Sequence, residues 1–96
     1  MVVATYTAKA QTAERVAALL PTLAAASRQE SGNISYSVAR NLEHPHVFTI
    51  VEMYDDPDAF TAHRESEHFA SIGMTQIIPL LESREIVGYE AADAIG

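Results

Sequence analysis

The stretch Val47–Tyr54, VFTIVEMY, constrains the fold more than any other part of the chain. Successive side chains of a strand point to opposite faces. Phe48, Ile50, Glu52 and Tyr54 therefore share one face, and Val47, Val51 and Met53 lie on the other. The strand is apolar on both sides, so both sides of its sheet need cover. The chain has 96 residues, enough for one domain with one layer of helices. The second cover is expected from another copy of the chain, and a hydrophobic content of 48% points the same way.

Ile34, Tyr36 and Val38 alternate with Ser35, Ser37 and Ala39, which reads as a half-buried strand. A Glu43-His44-Pro45-His46 turn joins it to Val47–Tyr54 as an antiparallel hairpin. Val2 to Lys9 is rich in β-formers and makes a first strand. Gln11-Thr12-Ala13-Glu14 opens a helix, with Thr12 as cap and Glu14 favoured in the first turn by the helix dipole. Val16, Leu19, Leu20 and Leu23 form its apolar face, Pro21 predicts a kink, and Gly32 predicts a stop. Asp56-Pro57 starts a second helix. Ser66 caps a restart, and Phe69, Ile72, Gly73, Gln76, Ile77, Leu80 and Leu81 form the stripe that follows, with Pro79 bending its end. Arg84 to Glu90 reads as a last strand and 91–96 as a loose tail. The order β-α-β-β-α-β predicts a single α+β, ferredoxin-like domain over 1–96. Its four-stranded antiparallel sheet carries helices on one face and meets its copy through the other, as a homodimer.

Charge and composition exclude several partners. A formal net charge of −7 argues against nucleic acid and against an anionic membrane surface. With no cysteine there are no disulfides, no thiolate chemistry and no cysteine-based zinc sites. No apolar run approaches the roughly 20 residues of a membrane span. Met1 leads straight into strand-forming residues with no signal-peptide pattern, so a cytoplasmic protein is expected.

One resemblance covers almost the whole chain, from about Val2 to Tyr89. Glu30-Ser31-Gly32 is followed by Tyr36-x-Val38 and by Pro45-x-x-Phe48-x-x-x-Glu52-x-Tyr54. Asp58-Ala59-Phe60-x-x-His63 and Ser66-x-His68-Phe69 complete the pattern. In order and spacing it resembles the antibiotic biosynthesis monooxygenase family, small dimeric α+β barrel proteins that include quinol monooxygenases. The resemblance implies a dimer. For characterised members it also implies oxygenation of electron-rich aromatic substrates without metal or prosthetic group. The first strand reads Ala4-Thr5-Tyr6 and the chain has no Trp, which separates it from the haem-degrading branch.

His63 is the candidate catalytic residue. It follows Phe60 by three positions and so shares its inward face. An imidazole there suits removal of a phenolic proton. The commoner role of such a histidine is structural, a bond to a backbone carbonyl that locks helix to sheet. Glu52 lies among apolar neighbours and needs a partner; Arg40, Arg64 and Arg84 are available for a structural ion pair. Tyr36 and Tyr54 offer hydroxyls to a substrate oxygen, and Asn33 offers an amide. Phe60, Phe69 and Met74 are candidates for an apolar, adaptable substrate-binding wall. Each also has an ordinary reading, as core or, for Asn33, as a turn residue. His68 stands five residues after His63, about 140° around a helix, whereas a metal-binding pair takes a four-residue step. Only a break at Ser66 brings the two rings together. No metal, flavin or haem is expected.

Two classes of function fit these residues. One is a cofactor-independent monooxygenase acting with O2 on a small aromatic ligand: a quinol, phenol or polyketide-like compound. The other is a non-enzymatic, dimeric ligand-binding or stress-associated module with the same pocket. Isomerase or decarboxylase chemistry, which needs an acid–base pair and no oxygen, is a third reading.

Overall fold

The computed structural model describes residues 1–90, so the expected tail lies outside the described residues. Strands β1 (Val2–Ala8), β2 (Asn33–Arg40), β3 (Val47–Tyr54) and β4 (Leu81–Gly88) form one sheet in the order β2-β3-β1-β4. Every pairing is antiparallel. Helices α1 (Ala13–Ser27) and α2 (Pro57–Arg64) and a π-helix, Phe69–Ile77, complete a ferredoxin-like α+β fold. No helix among the described residues is long and apolar enough to cross a membrane.

The strand registers line up three rows of side chains on the helix-bearing face. Arg40, Phe48, Tyr6 and Arg84 form one row, and Val38, Ile50, Ala4 and Ile86 form the next. Tyr36, Glu52, Val2 and Gly88 form the third. Val16, Leu20 and Leu23 of α1 and Ile77 of the π-helix pack on these rows with Phe48 and Ile50, and all are buried. Their spacing in α1 is the three-and-four rhythm of one helix face. The opposite face of the sheet, with Val3, Val51, Met53 and Val87, stays half-exposed.

Several local expectations change in the folded chain. Thr12 does not cap α1; its hydroxyl donates to Leu80 O at 2.7 Å and to Lys9 O at 3.1 Å, tying the start of α1 to the start of β4. That anchor, with a 3-10 turn over Ile78–Leu80, starts β4 at Leu81 rather than Arg84. Leu81 pairs with Ala8 and so belongs to the sheet, not to a helical stripe. α1 runs through the exposed Pro21 to Ser27. Gly32 is not its stop. A β-carbon on Gly32 would stand 2.4 Å from Ala59 Cβ, so glycine is needed where the turn passes under α2. Ile34, expected on the buried face of β2, sits at a register shift and is 61% exposed.

Candidate active site beneath helix α2

Asp56 caps α2 by accepting from Ala59 N at 2.8 Å, with Pro57 at the first position. This fixes α2 over the end of β3, with Phe60 and His63 directed inward. After Arg64 the helix breaks. Ser66 donates to His63 O at 2.6 Å and accepts from Phe69 N at 3.2 Å, closing one helix and opening the next. The new helix is wound in the wider π form, and the Thr75 hydroxyl and the Gln76 side-chain amide donate to the carbonyls of Ala70 and Ser71, five residues back. Phe69, Gly73 and Ile77 are its buried positions. Gly73 lets the Phe69 ring lie close, since a β-carbon there would be 3.1 Å from Phe69 Cδ1.

His63 is 2% exposed and lies at the centre of the site. Its Nδ1 is 2.8 Å from Glu30 Oε2, and its Nε2 is 3.6 Å from Glu52 Oε1. The Tyr54 hydroxyl donates to the same Glu52 oxygen at 2.6 Å. Phe60 stacks on the imidazole with ring centroids 6.2 Å apart and 17° between planes. Phe69, Tyr54 and Tyr36 lie tilted around it at 5.2, 5.7 and 5.8 Å. Both neighbours of the ring are carboxyl groups, which accept; Glu30, at 2.8 Å, favours the proton on Nδ1 over Nε2, whose nearest carboxyl oxygen, on Glu52, is 3.6 Å away.

A cavity of about 60 Å³ opens beside this ring, lined by His63, Glu52, Tyr6, Tyr36, Phe60 and Phe69, with Arg64, Arg84 and Ile86 at its sides. Phe60 and Tyr54 also border a larger cleft of about 600 Å³ that reaches Met1, Gly88 and Tyr89. Burial pushes the Glu52 carboxyl up, against the opposing pull of the Tyr54 hydrogen bond and of His63. Burial likewise pushes Tyr6, Tyr36 and Tyr54 up, and in Tyr54 the bond to Glu52 adds to the effect. All three phenols are thus held as hydrogen-bond donors.

Of the residues singled out from sequence, His63, Tyr36, Tyr54, Phe60, Phe69 and Glu52 come together here. Two do not. Met74 is 56% exposed on the outer side of the π-helix. The Asn33 amide donates to Ser35 O at 3.0 Å and Met53 O at 3.4 Å, a local backbone role. Among the described residues, Glu52 has no arginine within ion-pair distance. Arg40 pairs with Glu14 at 2.7 Å, Arg64 lies over Phe60, and Arg84 lies over Tyr6. The partners of Glu52 are Tyr54 and His63 instead. His63 bonds a carboxylate rather than a carbonyl. His68, set aside on spacing, faces the same Glu30 oxygen with Nε2 at 2.5 Å, because the break at Ser66 removes the helical rotation between the two histidines. The two histidines thus meet on one carboxylate through the break at Ser66, the one route their spacing left open. Glu30 is the residue that sequence reasoning missed. Its signals were a place in the Glu30-Ser31-Gly32 stretch of the family pattern and a carboxylate three residues past the end of α1, just ahead of the close approach at Gly32.

Residues 1–72 match the model of the antibiotic biosynthesis monooxygenase family. A Pseudomonas aeruginosa protein of known crystal structure is 30% identical, with a TM-score of 0.85 over 95% of this chain and 92% of that one. A Shewanella oneidensis protein is 29% identical, with a TM-score of 0.85 over 92% and 85%. A solved antibiotic biosynthesis monooxygenase shares the fold at a TM-score of 0.88 and 24% identity, over 96% and 97%. No curated protein matches the chain significantly. The chain belongs to the antibiotic biosynthesis monooxygenase family.

Proposed function

We propose that this chain is a cofactor-independent monooxygenase that oxidises a small phenol or quinol with O2. The observation that carries this reading is the His63 imidazole. It is buried, oriented from behind by Glu30, and offers Nε2 to the cavity edge beside Glu52. In this mechanism Nε2 removes the phenolic proton, and Glu52 balances the imidazolium that results. The electron-rich anion reduces O2 directly. One oxygen atom bonds to carbon, and the other leaves as water with two hydrogens from the substrate, which supplies all the electrons. The phenol of Tyr36 orients the substrate oxygen, Tyr54 holds Glu52 in place, and Arg84 and Arg64 favour an anion at the mouth. The 60 Å³ cavity holds about two waters at roughly 30 Å³ each. A substrate ring therefore occupies the neighbouring cleft and enters past Phe60, the side chain common to both spaces.

The test is a panel of small quinols with oxygen uptake recorded. The reading expects uptake coupled to substrate loss and requiring neither added metal nor flavin. Equal turnover under argon would assign the site to isomerase or decarboxylase chemistry. Saturable binding without turnover would make the chain a ligand-binding module.

The half-exposed sheet face is proposed as the dimer interface. Val3, Val51, Met53 and Val87 give it an apolar centre. A standard interface buries roughly 1,600 Å² in total, enough for a persistent dimer. Sedimentation at micromolar concentration should give twice the chain mass, and Val51→Lys should shift the equilibrium to monomer. A wild-type monomer under those conditions would contradict the assignment.

A further inference from the structure

We propose that Glu30, His63 and His68 bind one divalent transition-metal ion of the zinc class. Three separate segments converge here: the turn after α1, the last turn of α2, and the start of the following helix. Each supplies one donor atom, and the three atoms lie within 4.8 Å of one another. Two imidazole nitrogens and a carboxylate oxygen suit zinc, iron and their neighbours, at bond lengths of about 2.0–2.2 Å. Around a tetrahedral ion such bonds set the donors roughly 3.3 Å apart. Glu30 Oε2 stands 2.8 Å from His63 Nδ1 and 2.5 Å from His68 Nε2, closer than two ligands of one ion, so the carboxylate withdraws as an ion enters between the rings.

Two further observations point to the same ligand. Glu30 Oε1 is buried with no hydrogen-bond partner among the described residues, and an ion held by both carboxylate oxygens would give it one. On the far side of the ring, Glu52 Oε1 lies 3.6 Å from His63 Nε2. Metal-bound histidines characteristically direct their remaining N–H to a carboxylate, which fixes the tautomer and strengthens the ligand. Glu52 is placed for that role and needs to approach by about 0.5 Å to accept the bond. The side chain of His68 is 24% exposed, against 3% for His63, so the ion has a way in from the surface.

The site stands independently of the oxygenase reading, but the two meet at one imidazole. An ion on Nδ1 moves the ring proton to Nε2, toward Glu52, and removes the lone pair that a base requires. The metal is thus an inhibitor of base-dependent turnover rather than its cofactor.

Protein stripped by a chelator and titrated with Co2+ should develop a visible ligand-field band that saturates at one ion per chain and is displaced by Zn2+. His68→Ala and Glu30→Gln should each weaken binding at least tenfold, and Glu52→Gln by about 10–100-fold, as for other carboxylates behind a ligand histidine. His44→Ala, in the exposed hairpin turn, should leave it unchanged. Melting curves of each variant establish folding, and His68→Ala, whose ring is partly exposed, remains the deciding variant if Glu30→Gln unfolds. No saturable band would overturn the proposal. So would binding that persists in His68→Ala or is lost in His44→Ala. The titration needs no substrate, so its failure leaves the oxygenase reading intact.

Discussion

Replacing His63 with alanine lowers quinol turnover per folded molecule by roughly 10²–10⁴-fold, the range for loss of a positioned general base. The substitution also costs stability. It removes one of the two histidine partners of Glu30, the one at 2.8 Å, and opens space among Phe60, Phe69 and two tyrosines. The lost hydrogen bond to a carboxylate is worth about 1.5–3 kcal/mol, with Glu30 keeping its contact to His68. Against the usual 5–15 kcal/mol of a folded domain, most molecules still fold. Activity is therefore normalised to the folded fraction obtained from melting curves. Added imidazole, which fits the space left by the ring, should restore part of the lost rate. Full specific activity in the remaining folded molecules would make His63 a structural residue that happens to line a cavity.

Phe48→Ala should be the most destabilising single change in the core, by about 3–5 kcal/mol. Phe48 is 2% exposed, pairs with Tyr6 across β1, and carries the Arg40 guanidinium 5.3 Å from its ring centre. It joins the row beneath α1, so no neighbour can collapse into the space without moving the sheet. Urea unfolding measures the loss, and the melting temperature should fall by more than about 10 °C. Leu42→Ala, at a side chain 98% exposed, is the matched control and should change stability by less than about 0.5 kcal/mol. Similar effects of the two changes would mean that the core does not lie under α1.

The fold was legible because its signals are periodic. Two-residue alternation in β2, runs of β-forming residues in β1 and β3, and the three-and-four spacing in α1 give element type and order directly. Boundaries were less legible, because tertiary contacts set them. β4 begins early where Thr12 reaches Leu80, and Gly32 answers to Ala59, 27 positions away in sequence. In the site, His63, Phe60 and Phe69 were readable as one inward face on either side of a break. Glu30 was not, since nothing local shows that the end of α1 passes behind α2. The Glu52 partner was misread for a similar reason. Three arginines were available by composition, yet each is engaged elsewhere, and the nearer hydroxyl of Tyr54 lies two residues along the same strand. His68 was set aside by helical geometry that the turn at Ser66 suspends.

The most direct measurement is the fate of isotope-labelled O2 in a single aerobic turnover of metal-stripped protein with a quinol substrate. The account predicts one labelled atom in the product and one in water, with no turnover under argon. Unlabelled product, or a rate that does not depend on oxygen, would contradict it.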